Sequence, residues 1–182
     1  GPMWDFFNNG GEEEADDRTP WYHYRESITT VDLRPGMTTI GAEAFYSCDS
    51  FNSVILYDAV AAIGENAFAG CSSLASVEFK EGVDTIGNNA FEALNTVFEF
   101  AAEEPAVLGE NVFSSNAVLA VPDEAVGAYK AAWSDHAARV VGRSDAFVTV
   151  EVEAMDATSG IMESLGVNKV GSVAKLAVKG SI

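Results

Sequence analysis

The sequence predicts a repeat solenoid, in which short strands and turns stack as successive coils and both ends are closed by caps. One motif recurs at a constant interval, apolar positions between its copies keep that interval, and aromatic-rich segments flank the repeats. A single coil cannot bury its own apolar edge, but stacked coils share one core. A chain of 182 residues, 48% of them hydrophobic, is large enough to build such a core.

The recurring motif is Ile-Gly-x-x-Ala-Phe, and its three clear copies begin 23 residues apart. A period of 23 lies within the range of leucine-rich repeats and outside the ankyrin, tetratricopeptide and HEAT ranges. A weaker fourth copy, Leu108 to Phe113, follows after 22 residues. The structural repeat positions are Ile40, Gly41, Phe45, Ile63, Gly64, Phe68, Ile86, Gly87 and Phe91.

Each coil is expected to contain a short strand, a tight turn, a second extended piece and one helical turn, which makes the fold α/β. In Val77-Glu78-Phe79 the inward apolar positions alternate with an outward polar one, as a strand requires. Glu81-Gly82 marks the tight turn. The motif glycine suits a corner that needs either a positive φ or close backbone approach. The Ala-Phe-x-x-Cys portion has helical spacing and places its phenylalanine in the core.

Aromatic residues predict caps at both ends of the repeats. Residues 1–27 are expected to form an N-terminal cap that folds over Val31 and Leu33 of the first coil. Its aromatic residues are Trp4, Phe6, Phe7, Trp21, Tyr22 and Tyr24.

At the other end of the repeats, residues 119–122 are expected to be the last strand. Asp123 would then cap a helix running from Glu124 to about Ala132. Tyr129 and Trp133 are four residues apart and so share the face that closes the array.

Residues 146–182 break the 23-residue period. Residues 142–145 are interpreted as a linker, followed by a strand at 147–152, a short helix at 159–165 and a second strand at 173–178. One strand–helix–strand unit is too small to fold alone, so it is expected to be the start of a further module. The predicted domains are therefore the cap (1–27), the solenoid with its terminal helix (28–142) and the linker with a partial module (143–182).

These residues resemble the BspA-like, Treponema-type family of leucine-rich repeats, whose repeat is roughly Leu-x-x-Val-x-Ile-Pro-x-x-Val-x-x-Ile-Gly-x-x-Ala-Phe-x-x-Cys-x-x-Leu. The resemblance covers about residues 28–142. It departs from the pattern where the proline after the strand survives only as Pro35, and where the third coil is shortened after Phe91. The resemblance implies a secreted or cell-surface protein of gut-type bacteria, with a protein-binding or adhesion role toward an extracellular or host surface protein.

Composition and missing motifs favour a non-catalytic function. There are 28 Asp and Glu against 10 Lys and Arg, so the net charge of −18 repels nucleic-acid phosphates and anionic lipid surfaces. Nucleophile-elbow, zinc-protease, Cys-x-x-Cys and phosphate-binding glycine motifs are absent from the sequence. His23 and His136 lie in opposite caps and cannot meet. We expect no catalytic residue, metal, cofactor, nucleic-acid partner or membrane insertion, and a monomer.

Outward strand positions form two predicted columns on the solenoid surface, and they are the candidate ligand-binding residues. Ile55 and Tyr57 are apolar or aromatic where solvent would favour polar side chains, which together with flanking charges is typical of a protein-binding patch with a polar rim. The alternatives are a structural spacer that presents a neighbouring domain, and glycan binding through Trp4, Trp21 and Tyr24. The two columns are Asp32, Ile55 and Glu78, and Arg34, Tyr57 and Lys80.

Cys48 and Cys71 hold equivalent positions in neighbouring coils. Their predicted Cα separation is close to the strand spacing, which is within disulfide reach. Inward cysteines of this kind more often pack as small hydrophobic residues, so the sequence favours two free buried thiols.

The acidic stretch from Glu12 to Asp17 predicts a solvated mobile loop, with a calcium site as the alternative. The carboxylate spacing matches no EF-hand or nonapeptide pattern. We therefore expect calcium titration to leave the melting temperature of the protein unchanged. A rise in melting temperature that is lost when Asp16 and Asp17 are both changed to Asn would establish the calcium site.

Overall fold

We describe the fold from a computed structural model, which covers residues 2–4, 19–31, 33 and 36–146. The predicted acidic loop and the predicted strand–helix–strand unit lie outside the described residues, as do Asp32 and Arg34.

Two all-parallel sheets run along the described part of the chain, and each coil contributes one strand to each sheet. This arrangement confirms the predicted leucine-rich-repeat solenoid. The first sheet consists, in order, of the two-residue strands β1 (Thr39–Ile40), β3 (Ala62–Ile63), β5 (Thr85–Ile86) and β7 (Val107–Leu108). The second sheet consists, in order, of β2 (Ser53–Leu56), β4 (Ser76–Phe79), β6 (Val97–Phe100), β8 (Val118–Val121) and β9 (Val140–Gly142).

The register of the second sheet shows the predicted shortening of the third coil. Ser53 pairs with Ser76, 23 residues later, whereas Ser76 pairs with Val97, 21 residues later. Removing two residues preserves the inward and outward alternation of the strand, because side chains of a strand alternate with a period of two. Phe98 therefore pairs with Val77 and is buried beside it.

The phenylalanine column, formed by Phe45, Phe68 and Phe91, passes through the middle of the solenoid. Successive ring centroids are 5.2 Å apart, with interplanar angles of 15° and 5°. Two further rings extend the stack at its ends. The ring centroid of Phe113 lies 6.1 Å from that of Phe91, and the centroid of Trp21 lies 5.7 Å from that of Phe45. All three column residues are buried, as predicted, and so are the predicted inward strand residues Val54, Leu56, Val77 and Phe79.

Around each phenylalanine, where one helical turn was predicted, the backbone forms tight turns. Their N–H groups form hydrogen bonds both within the coil and to the next coil. Within a coil, the N–H of Tyr46 donates to the carbonyl of Glu43, three residues earlier. Between coils, the N–H of Phe45 donates to the carbonyl of Ala67. The residue two positions before each phenylalanine has a left-handed φ, which asparagine tolerates better than most residues. These residues are Glu43, Asn66, Asn89 and Asn111, with φ between 52° and 54°.

The motif glycines are required by close approach between coils. A Cβ on Gly87 would lie 2.7 Å from the backbone nitrogen of Glu65, and one on Gly64 would overlap the backbone of Ala42. Neither of these two glycines has a positive φ. A positive φ, which glycine adopts more easily than other residues, occurs instead at Gly82 in the tight turn after β4, where φ is 107°.

The C-terminal cap closes the core through two aromatic side chains, as predicted, but Asp123 does not cap the helix. The Tyr129 hydroxyl donates to the Ala102 carbonyl and the Trp133 indole N–H donates to the Ala106 carbonyl, each at 2.9 Å. The helix begins as a 3-10 turn (Asp123–Ala125) and continues as α1 (Val126–Ala132). The Asp123 carboxylate accepts instead the backbone N–H of Ser144 at 3.2 Å.

Three further elements follow α1 in the described residues, so the expectations of a last strand at 119–122 and a linker at 142–145 are wrong. A 3-10 helix (Ser134–Arg139) leads into β9, which pairs with the open edge of β8 and buries Val140. Arg143–Ala146 then forms a short helix, α2, that packs on β8 and β9.

In the described part of the N-terminal cap, two of the four predicted aromatic residues do not cover the first coil. A 3-10 helix covers Tyr22–Ser27, and the Trp21 indole N–H donates to the Ala44 carbonyl at 2.9 Å. Trp4 and Tyr24 are 83% and 68% exposed and therefore do not cover the first coil. The Met3 N–H donates to the Thr39 carbonyl at 3.2 Å, so the beginning of the chain lies along the outer edge of β1.

Replacing Phe68 by Ala should lower the free energy of unfolding by about 3–5 kcal/mol, because the two flanking rings hold the cavity open. Chemical unfolding followed by circular dichroism measures this loss. The control Val107→Ala, at an exposed position, should change stability by less than about 0.5 kcal/mol. A loss below about 1 kcal/mol for Phe68→Ala would mean that the column does not stabilise the stack.

The two cysteines are free and buried, which agrees with the favoured prediction. The Cys71 thiol donates to the Phe45 carbonyl at 3.0 Å. Burial raises the pKa of the Cys48 thiol to about 11. Burial, assisted by the neighbouring Cys48, also raises the pKa of the Cys71 thiol above its usual range. Since the thiolate is the reactive form, neither residue is suited to act as a nucleophile near neutral pH.

We expect a thiol-specific chromogenic reagent at pH 8 to react with neither cysteine in the folded protein, and with both after unfolding in guanidinium. The variant Ser72→Cys supplies the control, because Ser72 is exposed and a thiol there should react rapidly. Fast reaction of the parent protein would contradict the burial of the thiols. Failure to react after unfolding would indicate a disulfide.

Candidate functional site

The outer face of the second sheet carries the predicted binding columns. Ile55 pairs in register with Glu78, and Glu78 with Glu99. Beyond the strand ends, the N–H of Lys80 donates to the Leu56 carbonyl at 2.8 Å, which places Lys80 beside Tyr57. The structure thus brings together four of the six candidate residues, while Asp32 and Arg34 lie outside the described residues.

An apolar patch, formed by Ile55 and Tyr57, occupies the last outward position of β2 and the next outward position, just past the end of the strand. The side chains are 39% and 37% exposed, so each has one surface in contact with the protein and another in contact with solvent. The outward positions just before Ile55 in its own coil and before Glu78 in the next coil are the small, exposed residues Ser53 and Ser76. A flat partner surface can therefore approach the patch without steric hindrance from these positions.

The cations of the outer face are directed toward carboxylates. The Lys80 ammonium bonds the Glu78 carboxylate, and this hydrogen bond raises the pKa of the Lys80 side chain. Arg143 Nε lies 3.7 Å from a Glu99 carboxylate oxygen, and its guanidinium also donates to the Phe100 carbonyl. Lys80 therefore does not extend over Tyr57 as a separate cationic rim. Half-exposed ion pairs such as these contribute little to stability, but they leave the face with no unbalanced positive charge among its described residues.

Helix α2 covers the C-terminal end of the outer face. Ala120 continues the column of Ile55, Glu78 and Glu99 by register, yet it is fully buried, because α2 packs over β8 and β9. The open part of the outer face is thus formed by β2, β4 and β6. Sequence reasoning missed this covering helix. The only signal for it was an apolar alanine at an outward position of the last predicted strand.

The aromatic residues considered for glycan binding do not form one platform. Trp21 is half-buried against Phe45, and its indole N–H is bound to the Ala44 carbonyl. Trp4 and Tyr24 are exposed, whereas Tyr22 lies under the Arg25 guanidinium at 4.3 Å. Stacking of a sugar ring on Trp21 would require rearrangement of the cap.

A second candidate site, which is a concave cleft and was not expected from the sequence, lies at the C-terminal end of the first sheet. A cleft of about 390 Å³ separates residues 105–109 from residues 132–136. One wall includes His136, whose pKa is lowered by burial and by the neighbouring Arg139. The Arg139 guanidinium bonds His136 Nδ1 and the Ser114 carbonyl, and its charge adds to burial in disfavouring the protonated imidazole.

The described residues contain no group of three or more His, Cys, Asp and Glu side chains that could hold a metal ion. No helix in that part of the chain is both long and apolar enough to cross a membrane. His23 and His136 lie in the 3-10 helices at opposite ends of the solenoid.

Residues 21–120 match a family model described as "BspA type Leucine rich repeat region", in six copies. The match begins at Trp21, which stacks on the phenylalanine column, and ends within β8. It includes the whole apolar patch and excludes α1, β9 and α2. The comparison with curated proteins gave no match.

Proposed function

The chain belongs to the family of BspA-type leucine-rich repeats, and on that premise we propose that it is a non-catalytic protein-binding module of a secreted or cell-surface bacterial protein. Repeats of this family suggest protein interaction, and stacked parallel strands provide a rigid platform for it. The observation that carries the proposal is the apolar patch, since it is half-exposed on a regular sheet surface and bordered by polar side chains. Within the proposed domain division, the patch lies in the solenoid at 28–142.

Tyr57 has the properties of an interface anchor. Tyrosine is enriched among residues that dominate binding energy, because its ring buries a large area while few rotatable bonds are fixed. Here the ring is already partly supported by the protein, with 37% of the residue exposed. Glu78 and Lys80, paired beside it, supply the polar rim that typically surrounds such an anchor.

The charge of the protein favours a partner with a basic surface. With a net charge of −18, long-range attraction accelerates encounter with a positive surface and weakens as salt is added. The proposed partner is an extracellular or host surface protein, bound in an adhesion role by a monomer. The family resemblance supports this choice, together with the extracellular or cell-surface location.

One observation favours a second function, that of a structural spacer presenting a neighbouring domain. The chain itself uses part of the outer face, because α2 packs over β8 and β9 and buries Ala120. A spacer would need no ligand on the remaining face. Measurements on a variant of the patch separate the two functions.

The variant Tyr57→Ala should bind its partner at least about tenfold more weakly, a loss of about 1–2 kcal/mol, while thermal stability stays nearly unchanged. Weakening is expected because the anchor is lost, and stability is retained because the residue is outside the core. The whole chain is titrated by surface plasmon resonance against extracellular-matrix proteins and mucin glycans. A ligand from this panel that binds the parent is then used for the comparison.

Tyr24→Ala is the matched control, since it removes an exposed tyrosine from the N-terminal cap. Equal affinity of Tyr57→Ala and the parent would contradict a site at the patch, and loss in Tyr24→Ala alone would place it at the cap. Absence of binding across the whole panel would favour the spacer function.

A further inference from the structure

Strand β7 has an unpaired edge in the described part of the chain, because it is the last strand of the first sheet. The N–H groups of Val107 and Gly109 donate to the carbonyls of Asp84 and Ile86 in the previous coil, both at 2.8 Å. Successive residues of a strand direct their backbone groups to opposite edges. The N–H and carbonyl of Leu108 therefore point away from β5.

The unpaired edge faces the cleft in front of the C-terminal cap. The Ala106 carbonyl points to the same side as the backbone groups of Leu108, and it accepts the Trp133 indole N–H at 2.9 Å. Trp133, Ser134 and His136 line the opposite wall. The cleft volume of about 390 Å³ is in the range of about 300–1,000 Å³ that is usual for ligand pockets. Backbone hydrogen-bonding groups and a space for a ligand thus occur together.

The opposite edge of the same sheet already carries an extended segment. Pro2 forms a parallel bridge with Thr39 of β1, and the Met3 N–H donates to the Thr39 carbonyl at 3.2 Å. The first sheet therefore accepts extended backbone at its N-terminal edge. An equivalent set of backbone groups faces the cleft at its C-terminal edge.

The surroundings of the cleft favour a cationic ligand. Asp135 lines the cleft, and Glu110 is exposed directly after Gly109. The guanidinium of Arg139 is engaged by backbone carbonyls and by His136. Burial and the Arg139 guanidinium lower the pKa of His136, which disfavours a second positive charge on this wall. Two carboxylates, Asp135 and Glu110, therefore outnumber the one guanidinium of Arg139 beside the cleft, and the whole protein carries a net charge of −18.

We propose that this cleft binds an extended peptide segment with lysine or arginine side chains, which adds as a strand to β7 through the N–H and carbonyl of Leu108. Main-chain hydrogen bonds would provide the affinity, and alternate side chains the specificity, as in other cases of strand addition. Apolar side chains of the peptide would pack against Trp133, while its cations would face Asp135 and Glu110. The site is separate from the apolar patch, and neither proposal depends on the other.

The test uses the full 182-residue chain, labelled with ¹⁵N, and the capped peptide acetyl-Lys-Val-Lys-Val-Lys-Val-amide as the probe. Saturating peptide should slow hydrogen exchange of the Leu108 amide at least tenfold, because that N–H becomes bonded. A peptide with the same charge but N-methylated at alternate amides should bind at least tenfold more weakly. Equal binding of the methylated peptide, or unchanged exchange at Leu108, would overturn the proposal by showing attraction through charge alone. Equal binding of the glutamate analogue would also overturn it.

Two variants test the two walls of the cleft. Leu108→Pro deletes the N–H that faces the cleft and removes no hydrogen bond to β5, and proline is tolerated on edge strands. Because the Leu108 side chain packs against the core, the variant should melt at a lower temperature than the parent, and in its folded state it should lose at least tenfold in peptide affinity. Ser134→Trp narrows the cleft from the exposed opposite wall and leaves β7 intact, so it tests the site even if Leu108→Pro does not fold. Parent affinity in folded Ser134→Trp would contradict the proposal, whereas Tyr57→Ala should retain parent affinity for this peptide.

Discussion

Close stacking of neighbouring coils is the constraint on which the rest of this structure depends. Phenylalanine rings 5.2 Å apart fill the centre, while strands of both sheets pair at the usual interstrand spacing around them. A backbone that approaches this closely leaves no room for a Cβ at Gly64 or Gly87. The left-handed residues beside each phenylalanine follow from the same requirement, because they orient alternate N–H groups toward the next coil.

The repeated part of the fold was predictable because its signals recur. The inward alternation of Val54, Val77 and their neighbours, the 23-residue period and the shortened coil after Phe91 were all visible in the sequence. Exposure of Ile55 and Tyr57 followed from the same alternation. The asparagines at equivalent positions, Asn66 and Asn89, were an available sign of left-handed backbone that the spacing argument did not use.

Features that occur once were not predictable from spacing. Residues 143–146 are mostly polar and resemble a linker, yet they form α2 because Arg143 contacts Glu99 and the Phe100 carbonyl, both more than forty residues earlier. Asp123 has the composition of a helix cap, but the return of the chain brings the Ser144 N–H to its carboxylate. The cleft depends on how the terminal cap is positioned against β7, and no local pattern encodes that distance.

Because the two caps lie at opposite ends of the array, such a chain can change length during evolution by gaining or losing internal coils. Trp21 contacts the first ring of the phenylalanine column, and Trp133 contacts Phe113 near the other end. Each of these cap residues thus packs on the coil at its own end of the array. The span from Ile63 to Ile86 is one complete unit, and its strands β4 and β5 each pair with an equivalent strand on both sides. Duplication of such a unit in the gene would add one strand to each sheet and widen the outer face, while both caps keep their contacts. Ligand-contacting surface can therefore be gained or lost in whole coils without redesign of the core.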